Sequence, residues 1–259
     1  MADLLLAFAF ATFVWFFATG AILWLNRLPR EQHEGAVVAA IPLLAVGACG
    51  IIVAAGETTP AAAYLAFVSA VLIWGWHELA FLMGVVTGPN RQPLPPGVAG
   101  LARFRASAGT VIHHELALFL TLLLIAGLSW GAPNQVGSLT FGLLFALRLS
   151  AKLNIFLGVP HFSSAMLPPH LGYLRTHFRR RRMNPLMPVS LAAGALLVGW
   201  LARHAGHDTG AALIMSLVIL GLLEHGFMLL PFRDDALWRW AMPHQAATSI
   251  RGRKSRDGL

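Results

Sequence analysis

The chain has 259 residues, of which 57% are hydrophobic and only 12% are charged, and its mean hydropathy is +0.67. This composition excludes an ordinary soluble globular domain and indicates an integral membrane protein. The formal charge of +8 does not indicate nucleic-acid binding, because the sequence has no soluble basic domain that would present the Lys and Arg residues together.

Seven apolar segments are candidates to cross a bilayer, for which a helix needs about 20 residues. In chain order they cover approximately residues 4–25, 36–55, 61–86, 109–130, 136–157, 187–203 and 210–231. The short connections GETTP and GAPNQ predict tight helical hairpins. Since no Lys or Arg precedes the first apolar segment, we interpret that segment as an uncleaved span rather than a signal peptide.

Basic residues are concentrated on alternate connections. The first, third and fifth connections and the C-terminal tail hold sixteen of the nineteen Lys and Arg residues. Because basic loops stay on the cytoplasmic side, this pattern predicts a periplasmic N-terminus and a cytoplasmic C-terminus. We therefore predict an all-α, polytopic bundle of about seven transmembrane helices. It forms one domain over residues 1–243, followed by a basic, disordered cytoplasmic tail over residues 244–259.

A small set of polar side chains lies inside four of the spans. They are His77 and Glu78; His113, His114 and Glu115; Arg148, Lys152 and Asn154; and Glu224 and His225. At 1.5 Å per residue they fall in one layer, on the order of 6 to 14 Å below the cytoplasmic surface. Ionisable groups are costly in hydrocarbon, so we expect the carboxylates to pair with the two cations. In each His–Glu pair the side chains point about 100° apart, so one faces the site while the other supports a neighbouring helix.

Three interpretations of this layer remain open from the residues alone. The first is a structural network of ion pairs and hydrogen bonds, formed by Glu78, Glu115, Arg148, Lys152, Asn154 and Glu224. The second is a metal site with His77, His113, His114 and His225 as candidate ligands, or a tetrapyrrole site with His77, His114, His225, Trp74 and Trp76 as candidate contacts. The third is a proton or ion path. The loop residues His161, His170 and His177 are the next candidates for a site at the cytoplasmic face, although each one singly is more typical of a solvated loop position.

Sequence motifs of several enzyme classes are missing. The chain has no HExxH zinc motif, no Glu-x-x-His pair within a span, no P-loop and no GxSxG, and a single Cys excludes the CxxCH haem motif. This favours a non-enzymatic role.

Five sequence strings carry a resemblance to a known family. They are WGWHELAFLMGVVTGPNR, HHELALFLTLL, LRLSAKLNIFLGVP, HLGYLRTHFRRRRMNPLMP and LLEHGFMLLPFRDDALWRWAM. Over residues 1–243 the chain resembles the photosynthetic complex assembly protein 2 family (PuhE) of phototrophic bacteria. The resemblance implies a multi-pass protein of the bacterial inner membrane that assists assembly of reaction-centre and light-harvesting complexes. Their subunits, or other assembly factors, would be its partners. The cofactor is left open, with bacteriochlorophyll or another tetrapyrrole as the candidate.

The resemblance carries over no catalytic residues. Its motif positions are His77, Glu78, Gly88, Pro89, Asn90, Arg91, His114, Glu115, Arg148, Lys152, Asn154, Glu224 and His225. The alternative is a membrane enzyme or regulator of bacteriochlorophyll metabolism that uses the polar layer as a metal or acid–base site.

Overall fold

The protein is an all-α helical membrane bundle. A computed structural model describes residues 2–162, 167–231 and 234–241, and these ranges contain no β-strand. The α-helices are α1 (Ala2–Leu25), α2 (His33–Ala39), α3 (Ile41–Ala55), α4 (Pro60–Leu82), α5 (Gly100–Ala108), α6 (Ile112–Leu128), α7 (Val136–Leu157), α8 (Leu186–Leu201) and α9 (Thr209–Leu229). Three 3₁₀ helices cover Arg30–Gln32, Pro169–His177 and Asp234–Trp238. The predicted tail, residues 244–259, lies outside the described residues.

Each predicted span coincides with at least one helix. Within the described part of the chain, five helical segments are long and apolar enough to cross a membrane: α1, the combined Arg30–Ala55, α4, α7 and α9. The helices α5 and α6 pass the same test only as a pair bent by 65°, and α8 is a shorter apolar helix of 16 residues. The count of seven spans and the direction of the termini therefore stay predictions.

Local sequence explains where these helices begin and break. Thr59 and Asp208 cap α4 and α9, because each side chain accepts hydrogen bonds from backbone N–H groups of the first turn. The second predicted span is divided at Ala40, since Pro42 lacks an N–H and its ring crowds the carbonyl one turn earlier. The third span ends four residues earlier than predicted, shortly before Gly84 adopts a positive φ of 75°.

Close helix contacts hold the bundle together at small residues. An added Cβ at Gly47 of α3 would lie 2.5 Å from Ile73 Cγ1 and 2.8 Å from the backbone oxygen of Ser69, both on α4. The α3–α4 hairpin therefore depends on the missing side chain, as small residues commonly permit in membrane helix pairs. The helices α4 and α9 are the most buried of the long helices and occupy the centre of the bundle.

The connections after α1, α4 and α7 meet at one end of the bundle. The imidazole of His33 lies 3.2 Å from the Met83 carbonyl oxygen and 3.0 Å from that of Leu28. The Arg103 guanidinium on α5 donates to the carbonyl oxygens of Phe156 and His177, at 2.7 and 2.8 Å, and stacks over the Phe156 ring. These contacts fasten α5 across the C-terminal end of α7. We refer to this end, which carries the basic connections, as the loop end.

Large apolar side chains cover the outside of the bundle. Leu196 is 75% exposed, Val53 is 68% exposed and Phe13 is 64% exposed. A soluble monomer does not present so continuous an apolar surface, whereas a lipid-facing surface does. Cys49 is exposed on this surface, in agreement with a lipid-facing position.

Candidate functional site

Two ion pairs join three helices near the loop end. The Arg148 guanidinium on α7 donates to Glu78 Oε2 on α4 over 3.0 Å. One turn further along α7, Lys152 pairs with Glu115 on α6. Residues four apart share a helix face, which is why α7 meets both carboxylates from one side. The expected pairing of carboxylates with the two cations is thus observed for Glu78 and Glu115.

The three His–Glu pairs divide their side chains between two surroundings. Glu78, Glu115 and Glu224 all line one large cavity. The histidine that precedes or follows each of them is buried and makes its contacts with neighbouring helices instead. This division follows from the rotation of about 100° per helical residue, and it confirms that the two members of each pair have different surroundings.

His77 and His114 both face the contact between α4 and α6. The His77 Nε2 lies 2.9 Å from the Thr121 hydroxyl oxygen, so this pair forms a hydrogen bond between the two helices. His114 is fully buried, and its ring centroid lies 4.7 Å from that of Phe81. Neither ring nitrogen of His114 has a hydrogen-bond partner within the described residues.

His225 belongs to a hydrogen-bonded chain that connects α7, α8 and α9. Its Nδ1 donates to the Gly221 carbonyl oxygen over 2.8 Å, because that oxygen can only accept. Its Nε2 lies 2.9 Å from the Ser150 hydroxyl, which in turn lies 2.9 Å from the Ser190 hydroxyl on α8. The Asn154 amide also donates to Ser190, over 3.1 Å. Sequence reasoning included Asn154 and His225 but missed both serines, since Ser is common in membrane helices and has no diagnostic spacing.

The large cavity has a volume of about 1120 Å³ and lies between α1, α4, α6, α7 and α9. Its walls are mainly apolar and aromatic, and Trp15, Trp74, Phe81, Phe119, Phe145 and Trp238 are among them. Its polar surface includes both ion pairs and Glu224. Apolar walls with a few convergent polar groups are typical of a ligand-binding site.

Several polar atoms around the cavity lack a partner. Glu78 Oε1, Glu115 Oε2 and Arg148 Nε are buried and make no hydrogen bond within the described part of the chain. Most buried polar atoms in proteins are hydrogen-bonded, so each exception calls for an explanation, such as a catalytic role or a bound water or ion. The ion pairs therefore leave hydrogen-bonding capacity on both carboxylates.

Comparison with known proteins assigns the chain to a family. Residues 1–249 match the family model described as "Protein of unknown function (DUF3623)". The chain belongs to the DUF3623 family. It is also 45% identical, over 241 residues, to a Rhodobacter capsulatus protein described as "Uncharacterized 30.4 kDa protein in puhA 5'region". The alignment covers 89% of this chain and 88% of that relative. No solved structure matches the chain.

The proposed tetrapyrrole contacts occupy different positions in this DUF3623 member. Trp74 lines the cavity, whereas His77, His114, His225 and Trp76 are not among its lining residues. The Trp76 indole instead donates to the Val37 carbonyl oxygen over 3.1 Å, which joins α4 to α2. Depth along a helix does not give its rotation, so the sequence could place these residues in one layer but not tell which of them line the cavity.

The candidate metal ligands do not converge. His113 is exposed near the start of α6, His77 and His114 are buried at the contact between α4 and α6, and His225 is buried where α7 meets α9. Among the described residues, no group of three or more His, Cys, Asp or Glu side chains has the arrangement that would hold a metal ion.

Two tryptophans that were not assigned to the site from the sequence, Trp15 and Trp238, also line the cavity. The Trp15 indole on α1 donates to Glu224 Oε1 over 3.2 Å, and its ring packs edge-on against Trp238 at 5.1 Å. Trp238 donates to the Phe16 carbonyl oxygen over 3.2 Å. The signal for Trp15 was its position inside a span, away from the interfaces where Trp residues usually lie.

The loop histidines are less solvated than their sequence context suggests. His177 is 3% exposed, and its ring nitrogens lie 3.0 Å from Ser107 Oγ and 3.2 Å from the Gln92 carbonyl oxygen, so the expectation of a solvated residue is wrong there. His170 is half-buried, and its Nε2 donates to the Leu82 carbonyl oxygen over 2.8 Å. Burial lowers the pKa of His170, and the hydrogen bond to Leu82 partly opposes that shift.

Proposed function

We propose that this protein is a membrane-embedded assembly factor for bacterial photosynthetic complexes, and that its central cavity holds a tetrapyrrole pigment such as bacteriochlorophyll. The main observation that supports this proposal is the cavity. Its volume of about 1120 Å³ is slightly above the usual range for ligand sites, which suits a large ligand. Its aromatic walls suit a flat ring, because aromatic pairs favour stacked and edge-on contacts.

The donor set of the cavity fits a magnesium-containing ring. Carboxylate oxygens are ligands that Mg²⁺ accepts, and Glu78 Oε1 and Glu115 Oε2 are both without a partner. Arg148 and Lys152 would donate to carbonyl groups at the edge of such a ring. His161 also lines the cavity and offers an imidazole from the connection after α7. The buried histidines of the layer would act indirectly, by fixing the helices that carry the carboxylates.

The same cavity has a side toward the lipid. Leu116 and Phe119 on α6 line it, yet they are 50% and 44% exposed. In a bilayer these side chains would contact acyl chains, so an apolar pigment would enter from the membrane without crossing water. This supports a pigment that is delivered within the bilayer.

The relative in Rhodobacter capsulatus connects the proposal to photosynthesis. Its gene lies in the 5′ region of puhA, a photosynthesis gene region, and the chain resembles an assembly family of phototrophic bacteria. From this we infer an inner-membrane location and partners among reaction-centre or light-harvesting subunits or other assembly factors. Pull-down in mild detergent should recover at least one such polypeptide. Recovery of none from a strain that is assembling these complexes would contradict the partner assignment.

The pigment assignment can be tested with a cavity-filling variant. An added Cβ at Gly75, which lines the cavity, meets only Ile22 Cδ1 at 3.9 Å. Gly75→Phe should therefore occupy the cavity without a backbone clash. Wild type purified from a pigment-making host should show tetrapyrrole absorption bands, and Gly75→Phe should have lost them. Gly127→Phe is the matched control, because Gly127 on α6 has open space around it and lies outside the cavity.

Colourless wild-type protein from that host would contradict the pigment assignment, as would equal pigment in Gly75→Phe. A second variant separates scaffold from function. Glu115→Gln should lower the folded yield if the ion pair with Lys152 is structural. If the yield is unchanged while complex assembly fails, the carboxylate acts on the ligand or partner rather than on the fold.

The unpartnered carboxylate oxygens also favour a second candidate, an enzyme of bacteriochlorophyll metabolism with Glu78 or Glu115 as an acid or base. A deletion strain distinguishes the two functions. Mature pigment together with unassembled complexes supports the assembly factor, whereas an accumulating pigment precursor supports the enzyme.

A further inference from the structure

A second, smaller cavity of about 200 Å³ lies at the loop end and shares no lining residue with the large one. Its lining residues include two arginines, a threonine, a tyrosine and a histidine, namely Arg30, Arg91, Thr87, Tyr173 and His170. They come from three separate connections, which the fold brings together. We call it the loop-end pocket.

Both hydroxyls of the loop-end pocket lack a partner. Thr87 is 2% exposed, and its Oγ1 makes no hydrogen bond within the described residues. The Tyr173 phenol oxygen is likewise buried without a partner there. Each hydroxyl has a proton to donate. Two unpaired donors in one small pocket indicate an acceptor that the protein chain itself does not supply.

The charge of the pocket is positive. Arg30 and Arg91 are exposed residues, and no hydrogen bond or ion pair is found for either guanidinium within the described residues. The residues that line the pocket include no Asp or Glu. A guanidinium presents several donors in a planar fork that matches the oxygens of phosphate.

His170 shows how this charge acts on a neighbouring group. Burial is the largest cause of its lowered pKa, and the charges of Arg30, His33 and Arg91 act in the same direction. Its position is fixed by the hydrogen bond to Leu82 and by Gly84, where an added Cβ would lie 3.0 Å from His170 Cδ2. The positive φ of Gly84 favours glycine, and a side chain there would press against the His170 ring.

We propose that the loop-end pocket binds a phosphate group. Arg30 and Arg91 neutralise its charge, and the hydroxyls of Thr87 and Tyr173 donate to its oxygens. Four donors from different connections suit a tetrahedral group with three or four oxygens better than a planar carboxylate with two. The phosphate belongs either to a soluble phosphate compound or to a lipid headgroup. This site is independent of the pigment proposed for the large cavity.

The test uses full-length protein in an uncharged detergent and phosphate-free buffer. Inorganic phosphate and short-chain phosphatidic acid are titrated separately at constant ionic strength, and binding is followed by calorimetry and by the melting temperature. Saturable binding of inorganic phosphate supports a soluble source. Saturable binding of phosphatidic acid alone supports a lipid headgroup.

Three variants separate the site from general charge effects. Arg91→Gln should weaken binding about tenfold or more, because it removes charge-assisted hydrogen bonds. Thr87→Val should also weaken binding, while its melting temperature without phosphate is at least that of wild type, since a buried unpaired hydroxyl has been removed. The control Arg105→Gln, an exposed residue of α5 outside the pocket, should bind as wild type does.

Two results would overturn the proposal. The first is that neither inorganic phosphate nor phosphatidic acid binds wild type saturably. The second is that Arg91→Gln and Thr87→Val bind both probes as tightly as wild type.

Discussion

Replacing Arg148 with methionine should destabilise the bundle, because the change leaves Glu78 without its cation. The Glu78 side chain is only 9% exposed, and its Oε2 accepts from Arg148 over 3.0 Å. Breaking a buried pair in this way costs about 3–5 kcal/mol. The Arg148 side chain is itself 42% exposed in the cavity, where solvent screens part of the interaction, so we expect the lower end, about 3 kcal/mol.

Thermal unfolding in detergent, followed by circular dichroism, measures this loss. In a protein of this size each kcal/mol shifts the melting temperature by about 2–4 °C, so Arg148→Met should melt about 6–12 °C below wild type. The double variant Glu78→Gln/Arg148→Met should recover most of that loss, since it leaves no unpaired charge. Arg203→Met, at an exposed position with no ion pair in the described structure, is the control and should stay within about 0.5 kcal/mol of wild type.

The reasoning is refuted if Arg148→Met melts with wild type, because Glu78 would then tolerate the loss of its partner. It is equally refuted if the double variant is no more stable than Arg148→Met. In that case the lost stability would come from packing of the arginine stem rather than from the uncompensated carboxylate.

Three further outcomes follow from contacts elsewhere in the bundle. Gly47→Leu should lower the free energy of unfolding by about 1–3 kcal/mol, because the new side chain clashes with Ile73 and Ser69. Gly127→Leu meets no neighbour and should not lower it, and chemical unfolding of both variants measures the difference. Arg103→Gln removes two charge-assisted hydrogen bonds to carbonyl oxygens, so limited proteolysis should cut the connection after α7 faster than in Arg105→Gln, and equal rates would contradict this. His170 has a lowered pKa, so the stability that its neutral form contributes is complete above the ordinary value of 6.5 and is lost as the pH falls from there through the folded-state value. In phosphate-free buffer the melting temperature of wild type should therefore fall between pH 7.5 and pH 5 more steeply than that of His170→Gln.

The sequence predicted the helices well where composition and local chemistry decide them. The span predicted over residues 136–157 agrees in both bounds with α7, and Thr59 and Asp208 start α4 and α9 as capping residues do. The sequence did not predict α5, because its segment GLARFRASA is too short and too polar to be recognised as a membrane-spanning helix. What holds α5 in place, the contact of Arg103 with Phe156 and His177, is tertiary and leaves no local pattern.

The candidate site was predictable in depth but not in detail. Counting residues from the span ends placed Glu78, Glu115 and Arg148 in one layer, and the ion pairs confirm that they meet. Which carboxylate pairs with which cation depends on how each helix is rotated about its axis, and the apolar faces give little guidance because lipid and core are both apolar. The role of Ser150 and Ser190 could not be predicted either. A serine hydroxyl can form a hydrogen bond to its own helix, so burying it in a bundle has little energetic cost at any rotation of that helix.

The two ion pairs also affect the order in which the helices can reach their stable positions during synthesis. Glu78 precedes Arg148 by 70 residues and Glu115 precedes Lys152 by 37, so both carboxylates are synthesised before their cations. At about 5–20 residues per second, α4 waits roughly 4–14 s for Arg148. During that interval both carboxylates lack the cations that they pair with in the complete bundle, and an isolated carboxylate is costly in hydrocarbon. Helix α7, with two cations of its own, then gains its stable position by docking on α4 and α6. A nascent chain that stops before α7 is thus a membrane protein with unmatched acids, and recognition of such intermediates by quality-control proteases would act on this very layer.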